Sequence, residues 1–368
     1  MGFNCGIVGL PNVGKSTLFN ALTQTVAAQA ANYPFCTIEP NSGRVAVADP
    51  RLDQIAKIAG SAQIIPTSLE IVDIAGLVKG ASSGEGLGNQ FLGHIRAVDA
   101  IIHVVRCFED ENITHVEGGV DPIRDMEIIE TELMLSDMES LEKRVPALQK
   151  RLKSSLQDTD MQTQLRLMEG ALKLLQEGKN ARELGVVDAD QAAFKSLQLI
   201  TAKPVLYVCN VGESEAAAGN AYVSKVAQFA QSQGAACVHI SAAIEAEVAT
   251  LTDEAEKHMF LSDLGLNESG LSQVIRAGYN LLGLLTFFTV GPKEARAWTT
   301  FKGARAPQAA GEIHSDFERG FICAETISFA DYVSCNGEQG AKNAGKLRLE
   351  GKDYITHDGD VFHFRFNV

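Results

Sequence analysis

The chain has 368 residues, of which 45% are apolar and 21% charged, the balance of a globular protein with room for two or three domains. A formal net charge of −14 excludes a protein that coats nucleic acid over its whole surface, but it leaves room for a local basic patch. No apolar run approaches the ~20 residues that span a bilayer, so no membrane partner is expected.

The chain opens with a short apolar run, FNCGIV (3–8), that has no basic region before it and leads into a glycine loop. It reads as a strand and not as a signal peptide. Seven Cys at 5, 36, 107, 209, 237, 323 and 335 form no C-x-x-C pair, and four of them fall in or beside strand-like runs. Reduced, mostly buried thiols in a cytoplasmic protein are the expectation.

GLPNVGKS (9–16) follows the first strand and precedes a helical pattern at Leu18, Phe19 and Leu22. It fits G-x-x-x-x-G-K-[ST] in the strand–loop–helix setting that the phosphate loop requires. Gly9 and Gly14 let successive N–H groups turn inward, and the helix start adds its positive dipole end. Lys15 is then expected on the β- and γ-phosphates and Ser16 on Mg²⁺. Thr37, in the Pro-flanked PFCTIEPN (34–41), is the candidate second metal-side hydroxyl, sensing the γ-phosphate.

Further strands are predicted at 43–47, 68–74, 100–106, 204–209 and 236–240. They are β-branched and almost continuously apolar, as strands covered on both faces are. With helical patterns between them they predict an α/β fold with a mostly parallel open sheet and helices on both faces. VDIAGLVKG (72–80) places Asp73 at a strand end, where it would hold Mg²⁺ through water, and Gly76 where its N–H meets the γ-phosphate. A glycine-rich tract follows, as expected of a segment that one nucleotide state orders. Leu77 stands where many GTPases carry the Gln that orients the attacking water, so intrinsic hydrolysis should be slow. His115, in the loop after the fourth strand, is a candidate to supply that role; a solvated loop histidine is the plainer reading. His103, inside an apolar strand, reads as a core residue.

Between 122 and 200 the alternation stops. Met134, Met138, Leu141, Val145, Leu148 and Leu152 recur at helical spacing, and Met161, Leu165, Met168, Leu172 and Leu175 repeat the pattern after SLQDTD (155–160). The two stripes predict an antiparallel helical hairpin inserted into the first domain, or two helices packed flat on it. Pro146 should kink or break the first helix. KRVPALQKRLK (143–153) brings five positive charges to or near the hairpin tip, a candidate phosphate contact or simply a solvated face.

LYVCNVGES (206–214) delivers Asn210 to a strand end. GTP-binding P-loop proteins read Asn-Lys-x-Asp there; this chain reads Asn-Val-Gly-Glu. An Asp at the last place accepts the two guanine donors at N1 and N2, and Glu213 is one methylene too long to stand in for it. Val211 replaces the Lys that covers the base. Asn210 either bonds a purine N7 or ties this loop to the phosphate loop, Val211 can pack on the ring, and Ser241 and Ala242 supply small residues and N–H groups. Adenine is favoured over guanine.

From about 281 short alternating strands predict a separate α+β domain of residues 281–368. Its balance of 10 basic against 11 acidic residues leaves most of the negative charge in residues 1–280. Phe362, Phe364 and Phe366 share one predicted face.

GLPNVGKST, FCTIEPN, DIAGLVKGAS, GEGLGNQFL and Asn-x-x-Glu together resemble the YchF subfamily of the Obg-like P-loop proteins, the Obg-like ATPases. APQAAGEIHSDFERGFICAETISF, EQGAKNAGK and EGKDYITHDGDVFHFRFNV resemble its TGS-like, ubiquitin-fold domain. The resemblance spans essentially the whole chain. It implies a nucleotide-binding domain with an inserted helical hairpin, ATP or ADP as ligand in preference to GTP, Mg²⁺, and association with the ribosome. It carries nucleotide contacts onto Asn12, Val13, Gly14, Lys15, Ser16 and Thr17, metal contacts onto Ser16 and Thr37, and the adenine contact onto Val211. Two rivals stand beside a slow ATPase switch: a conventional GTPase that tolerates Glu213, and a ribosome- or RNA-binding module that holds nucleotide only as a structural ligand. Sequence-specific DNA binding is not expected.

Overall fold

The computed structural model describes residues 3–30, 38–39, 42–74, 87–116, 118–155, 157–251 and 253–367. In chain order the first strands are β1 (Asn4–Val8), β2 (Ile38–Glu39), β3 (Ser42–Ala46), β4 (Gln63–Ile65), β5 (Ser68–Asp73), β6 (Ala100–Arg106), β7 (Val205–Asn210) and β8 (Ala236–Ile240). Seven of them form one sheet in the order β2-β3-β5-β1-β6-β7-β8. The pairs from β5 through β8 are parallel, and β2 and β3 are antiparallel additions at one edge. The helices are α1 (Lys15–Ala30), α2 (Pro50–Ala59), α3 (Leu87–Ala97), α4 (Pro122–Leu152), α5 (Thr159–Gln176), α6 (Gln191–Ser196), α7 (Ala221–Ser232), α8 (Ala242–Thr250), α9 (Glu254–Asp263) and α10 (Gly270–Leu281).

β6 and β7 are buried along their whole length, which explains their uninterrupted apolar runs. His103 on β6 is a core residue as expected; burial pushes its imidazole down to about 3, so it stays neutral. Parallel pairing brings the carboxyl ends of β1, β5, β6 and β7 to one edge of the sheet, where the glycine loop and the Asn210 loop emerge.

The hairpin forms as its periodicity predicts. Leu141, Val145 and Leu148 of α4 meet Leu167, Met168, Ala171 and Leu175 of α5 in a core of their own, closed by Phe194, Leu197 and Leu199. Pro146 corrects the expectation of a break: α4 runs through it without interruption. Pro146 and Glu142 are both exposed, so the carbonyl that loses its N–H donor faces water. Buried Asp137 of α4 accepts from the N–H groups of Ile200 and Thr201 and from the Thr201 hydroxyl, which fixes the hairpin base next to β7. Burial raises its carboxyl and those bonds oppose the rise.

The second sheet uses β9 (Leu284–Val290), β10 (Glu294–Phe301), β11 (Phe321–Ser328), β12 (Arg348–Glu350) and β13 (Asp360–Phe366), with helices at Ala306–Ile313, Ser315–Arg319, Phe329–Ser334 and Glu338–Asn343. The Phe stripe is only partly core: Phe362 and Phe364 pack around Phe287, whereas Phe366 is 39% exposed and stacks on Phe317.

The order of this sheet is β12-β11-β13-β9-β10-β4, and the last strand comes from near the N-terminus. Packing therefore does not follow the sequence boundary expected at residue 280. Leu52, Ile55 and Ala56 of α2 join Phe288, Ala295, Ala297, Ile327 and Tyr332 in one core. α2 is well delimited for so short a helix, by Asp49 accepting from the Arg51 N–H, by Pro50 at its start and by Gly60 at φ 64° at its end. Arg51 adds an ion pair to Asp358 at 2.6 Å and lies over the Phe288 ring.

Candidate nucleotide site

The loop between β1 and α1 turns where the sequence places its glycines. A Cβ on Gly9 would lie 2.4 Å from the Val104 carbonyl oxygen of β6. Gly14 has φ 96°, and a Cβ there would lie 2.2 Å from Asn210 Nδ2. Only glycine fits either place. Asn12 occupies the left-handed region at φ 62°, which Asn tolerates better than most residues, and its Nδ2 donates to the Thr114 carbonyl. Val13 is buried, whereas Ser16 and Thr17 at the start of α1 are exposed. The first N–H groups of α1 have no intrahelical acceptor and face the same mouth.

Lys15 is buried, and its Nζ donates to the carbonyls of Gly9 at 2.7 Å and Leu10 at 2.6 Å. Burial pushes the ammonium down to about 8, with Asp73 opposing the shift. Asp73 lies beside Ile7 in the β1–β5 register, and burial raises its carboxyl against the pull of Lys15. Asp73 Oδ1 is buried and has no hydrogen-bond partner among the described residues. A buried carboxylate oxygen without a donor, close to an ammonium and an exposed serine, fits a divalent cation with oxygen ligands. Thr37 and Gly76, expected on the metal and the γ-phosphate, lie outside the described residues, as does Leu77.

At the base end Asn210 closes the cleft from the side. Its Nδ2 donates to the Val13 carbonyl at 2.9 Å, and its Oδ1 accepts from the Ala242 N–H at 2.9 Å. Of its two expected roles the structure shows the tie to the phosphate loop; a bond to purine N7 would compete with it for the same amide. The Ala242 N–H, expected to face the base, is committed to this tie. Val211 is 3% exposed and belongs to the core, and Glu213 is exposed at the start of a short turn. Ser241 Oγ is buried with no hydrogen-bond partner among the described residues, which leaves it as a polar group for a ligand at this end.

His115 is turned away from the role of holding water. Its Nε2 lies 2.8 Å from Asp125 Oδ2 at the start of α4, and its side chain is 8% exposed. The loop it belongs to does reach the phosphate loop, through Thr114 and Asn12.

Sequence reasoning missed the residue that shapes this loop. Arg106, at the end of β6 and 2% exposed, donates from Nε to the Phe108 carbonyl, from Nη1 to Ile113 and from Nη2 to Asp110. Its guanidinium lies 4.6 Å from the centre of the half-buried Phe108 ring. The Cys107 N–H donates to the Asn210 carbonyl, and Asn220 Nδ2 donates to the Cys107 carbonyl. The only sequence signal was one cation ending an apolar strand.

Comparison with known proteins places this geometry. A family model described as "50S ribosome-binding GTPase" matches residues 4–144, and one described as "Protein of unknown function (DUF933)" matches residues 284–367. Proteins named "Ribosome-binding ATPase YchF" from Haemophilus influenzae and Escherichia coli O157:H7 are 56% and 55% identical over 368 residues, covering all of both chains. One of that name from Bacillus subtilis is 53% identical over 370 residues, again over the full length of both. A solved structure, described as "Structure of the Schizosaccharomyces pombe YchF GTPase", superposes with a TM-score of 0.87 at 40% identity, covering 99% of this chain and 98% of that one. With a phosphate loop, an inserted hairpin and the C-terminal α+β domain all matched end to end, the chain belongs to the YchF family of Obg-like P-loop proteins.

Proposed function

We propose that the chain binds and slowly hydrolyses ATP, prefers ATP to GTP, uses Mg²⁺, and changes its affinity for the ribosome with nucleotide state. The observation that carries the choice of base is the commitment of the Asn210 amide to Val13 and Ala242. What remains of the loop is a buried Val211 and an exposed Glu213, with neither the Lys nor the Asp that selects guanine. A site without that paired acceptor loses guanine discrimination by orders of magnitude.

On binding, Lys15 Nζ exchanges the carbonyls of Gly9 and Leu10 for phosphate oxygens, and the N–H groups from Asn12 to Thr17 take the rest of the polyphosphate. Ser16 and Asp73 are the ligands on this chain that fit Mg²⁺, with Thr37 as the third candidate. Mg²⁺, when bound, supplies charge neutralisation at the β- and γ-phosphates. Leu77 cannot hold a water and His115 is engaged with Asp125, so turnover is slow unless a partner supplies the missing group. The names of the bacterial relatives support the ATPase and ribosome readings. So do Lys150, Arg151 and Lys153, all exposed where α4 reaches the hairpin tip.

Titrating nucleotide-free protein with ATP and with GTP tests the base. Tighter ATP binding is expected. A clear preference for GTP would instead select the second reading, a GTPase, which the exposed Glu213 carboxylate favours and which is what the Schizosaccharomyces pombe relative is called. Co-sedimentation with ribosomes under ATP, ADP and a non-hydrolysable analogue tests the switch: equal binding in all three states would sink it.

A further inference from the structure

On the opposite edge of the nucleotide sheet, a crevice of about 570 Å³ opens where three parts of the molecule meet. Phe3, Asp99 and Lys203 line it from the amino ends of β1, β6 and β7. Arg182, Phe194 and Lys195 come from the hairpin insertion, and Phe301 from β10. The volume is that of sites for small organic ligands, which favour such junctions.

Its charge is one-sided. Arg96, Arg182, Lys195 and Lys203 line it, and Asp99 is the one carboxylate among the described lining residues. Asp99 already accepts from the Asn4 N–H. Arg182 pairs with Glu130. Arg96 uses only Nη2, on Ser136 and 3.8 Å from Asp137, which leaves Nε and Nη1 without partners among the described residues. Lys203 Nζ donates to the carbonyls of Arg96 and Val98, so one proton stays uncommitted, and burial lowers its pKa. Lys195 is exposed and has no ion pair or hydrogen bond among the described residues. Beside these donors stand buried Phe194 and the 42% exposed ring of Phe301. Unused cations next to an open aromatic face suit a ligand that is acidic at one end and planar and apolar at the other.

We propose that this crevice is a second ligand site, separate from the nucleotide cleft, that takes a small organic anion with a planar apolar body, the chemistry of an aryl phosphate or sulfonate. Its ligand would touch the carboxyl end of α3, the helix whose other end follows the glycine tract directly in sequence.

The test titrates the full chain, saturated with ADP, with anilinonaphthalene sulfonate followed by fluorescence. One saturable equivalent is expected. Phenyl phosphate should displace it, and the uncharged phenylnaphthylamine should not bind. Lys195→Glu and Phe301→Ala, both at exposed positions, should each weaken it by roughly fivefold or more while leaving ADP affinity unchanged. Absence of saturable binding to the wild type, equal affinity in wild type and both variants, or displacement of the probe by ADP would each overturn the proposal.

Discussion

At the phosphate end of the cleft the groups that face a ligand are main-chain N–H groups and one ammonium, held by a loop that needs glycine at positions 9 and 14. At the base end the corresponding group is a side-chain amide already engaged at both ends, and its neighbours are a buried Val and an exposed Glu. The first half is built to grip any triphosphate, and the second is a strut that grips the first. Affinity and base choice are therefore separable, but the two halves are not mechanically independent, because Asn210 joins them.

Removing the grip should have the largest effect. Lys15→Ala is expected to lower turnover by about 10²–10³-fold, as loss of one charge-stabilising donor does. Single-turnover hydrolysis would show it, and near-normal hydrolysis would remove Lys15 from the chemistry. Cutting the strut comes next. Asn210→Ala leaves the Val13 carbonyl and the Ala242 N–H without partners in a buried place, an expected cost of about 2–4 kcal/mol in unfolding by denaturant. It should weaken ATP and GTP alike; a loss confined to one base would make Asn210 a reader and not a tie.

A smaller effect separates the halves by pH. Burial holds the Lys15 ammonium at about 8 in the nucleotide-free chain, and a bound polyphosphate raises it. Binding therefore takes up a proton above that pH, and affinity should fall by up to about tenfold per unit as pH rises further. Isothermal titration in buffers of different ionisation enthalpy measures the uptake, and none at pH 9 would contradict the assignment. The smallest change is expected from Glu213→Ala, less than about threefold in ATP affinity, because an exposed carboxylate contributes little. A large loss of GTP binding in that variant would turn the base end into a guanine site.

The same contrast decides what could be read in advance. The phosphate loop was legible because its chemistry is main-chain geometry, fixed by residue spacing over eight positions. The hairpin was legible because its core lies within its own two stripes. Asn210 was legible in place but ambiguous in role, because the choice between a purine and the Val13 carbonyl depends on a partner 197 residues away. Arg106 left no pattern, since its acceptors are carbonyls that carry no side-chain signature. Pro146 misled because the rule against proline in helices presumes a buried backbone, and here the orphaned carbonyl is wet.

β4 and α2 impose an order on synthesis. The Ser61 hydroxyl donates to the Gly291 carbonyl, 230 residues later, and β10, the strand beside β4, follows directly. At translation rates of about 5–20 residues per second, that separation keeps Leu52 and Ile55 without their final partners for roughly 12–46 s after they emerge. During that interval an apolar helix face waits in the nascent chain, a target for chaperones, and the amino-terminal half can complete its packing only when the last domain has been made.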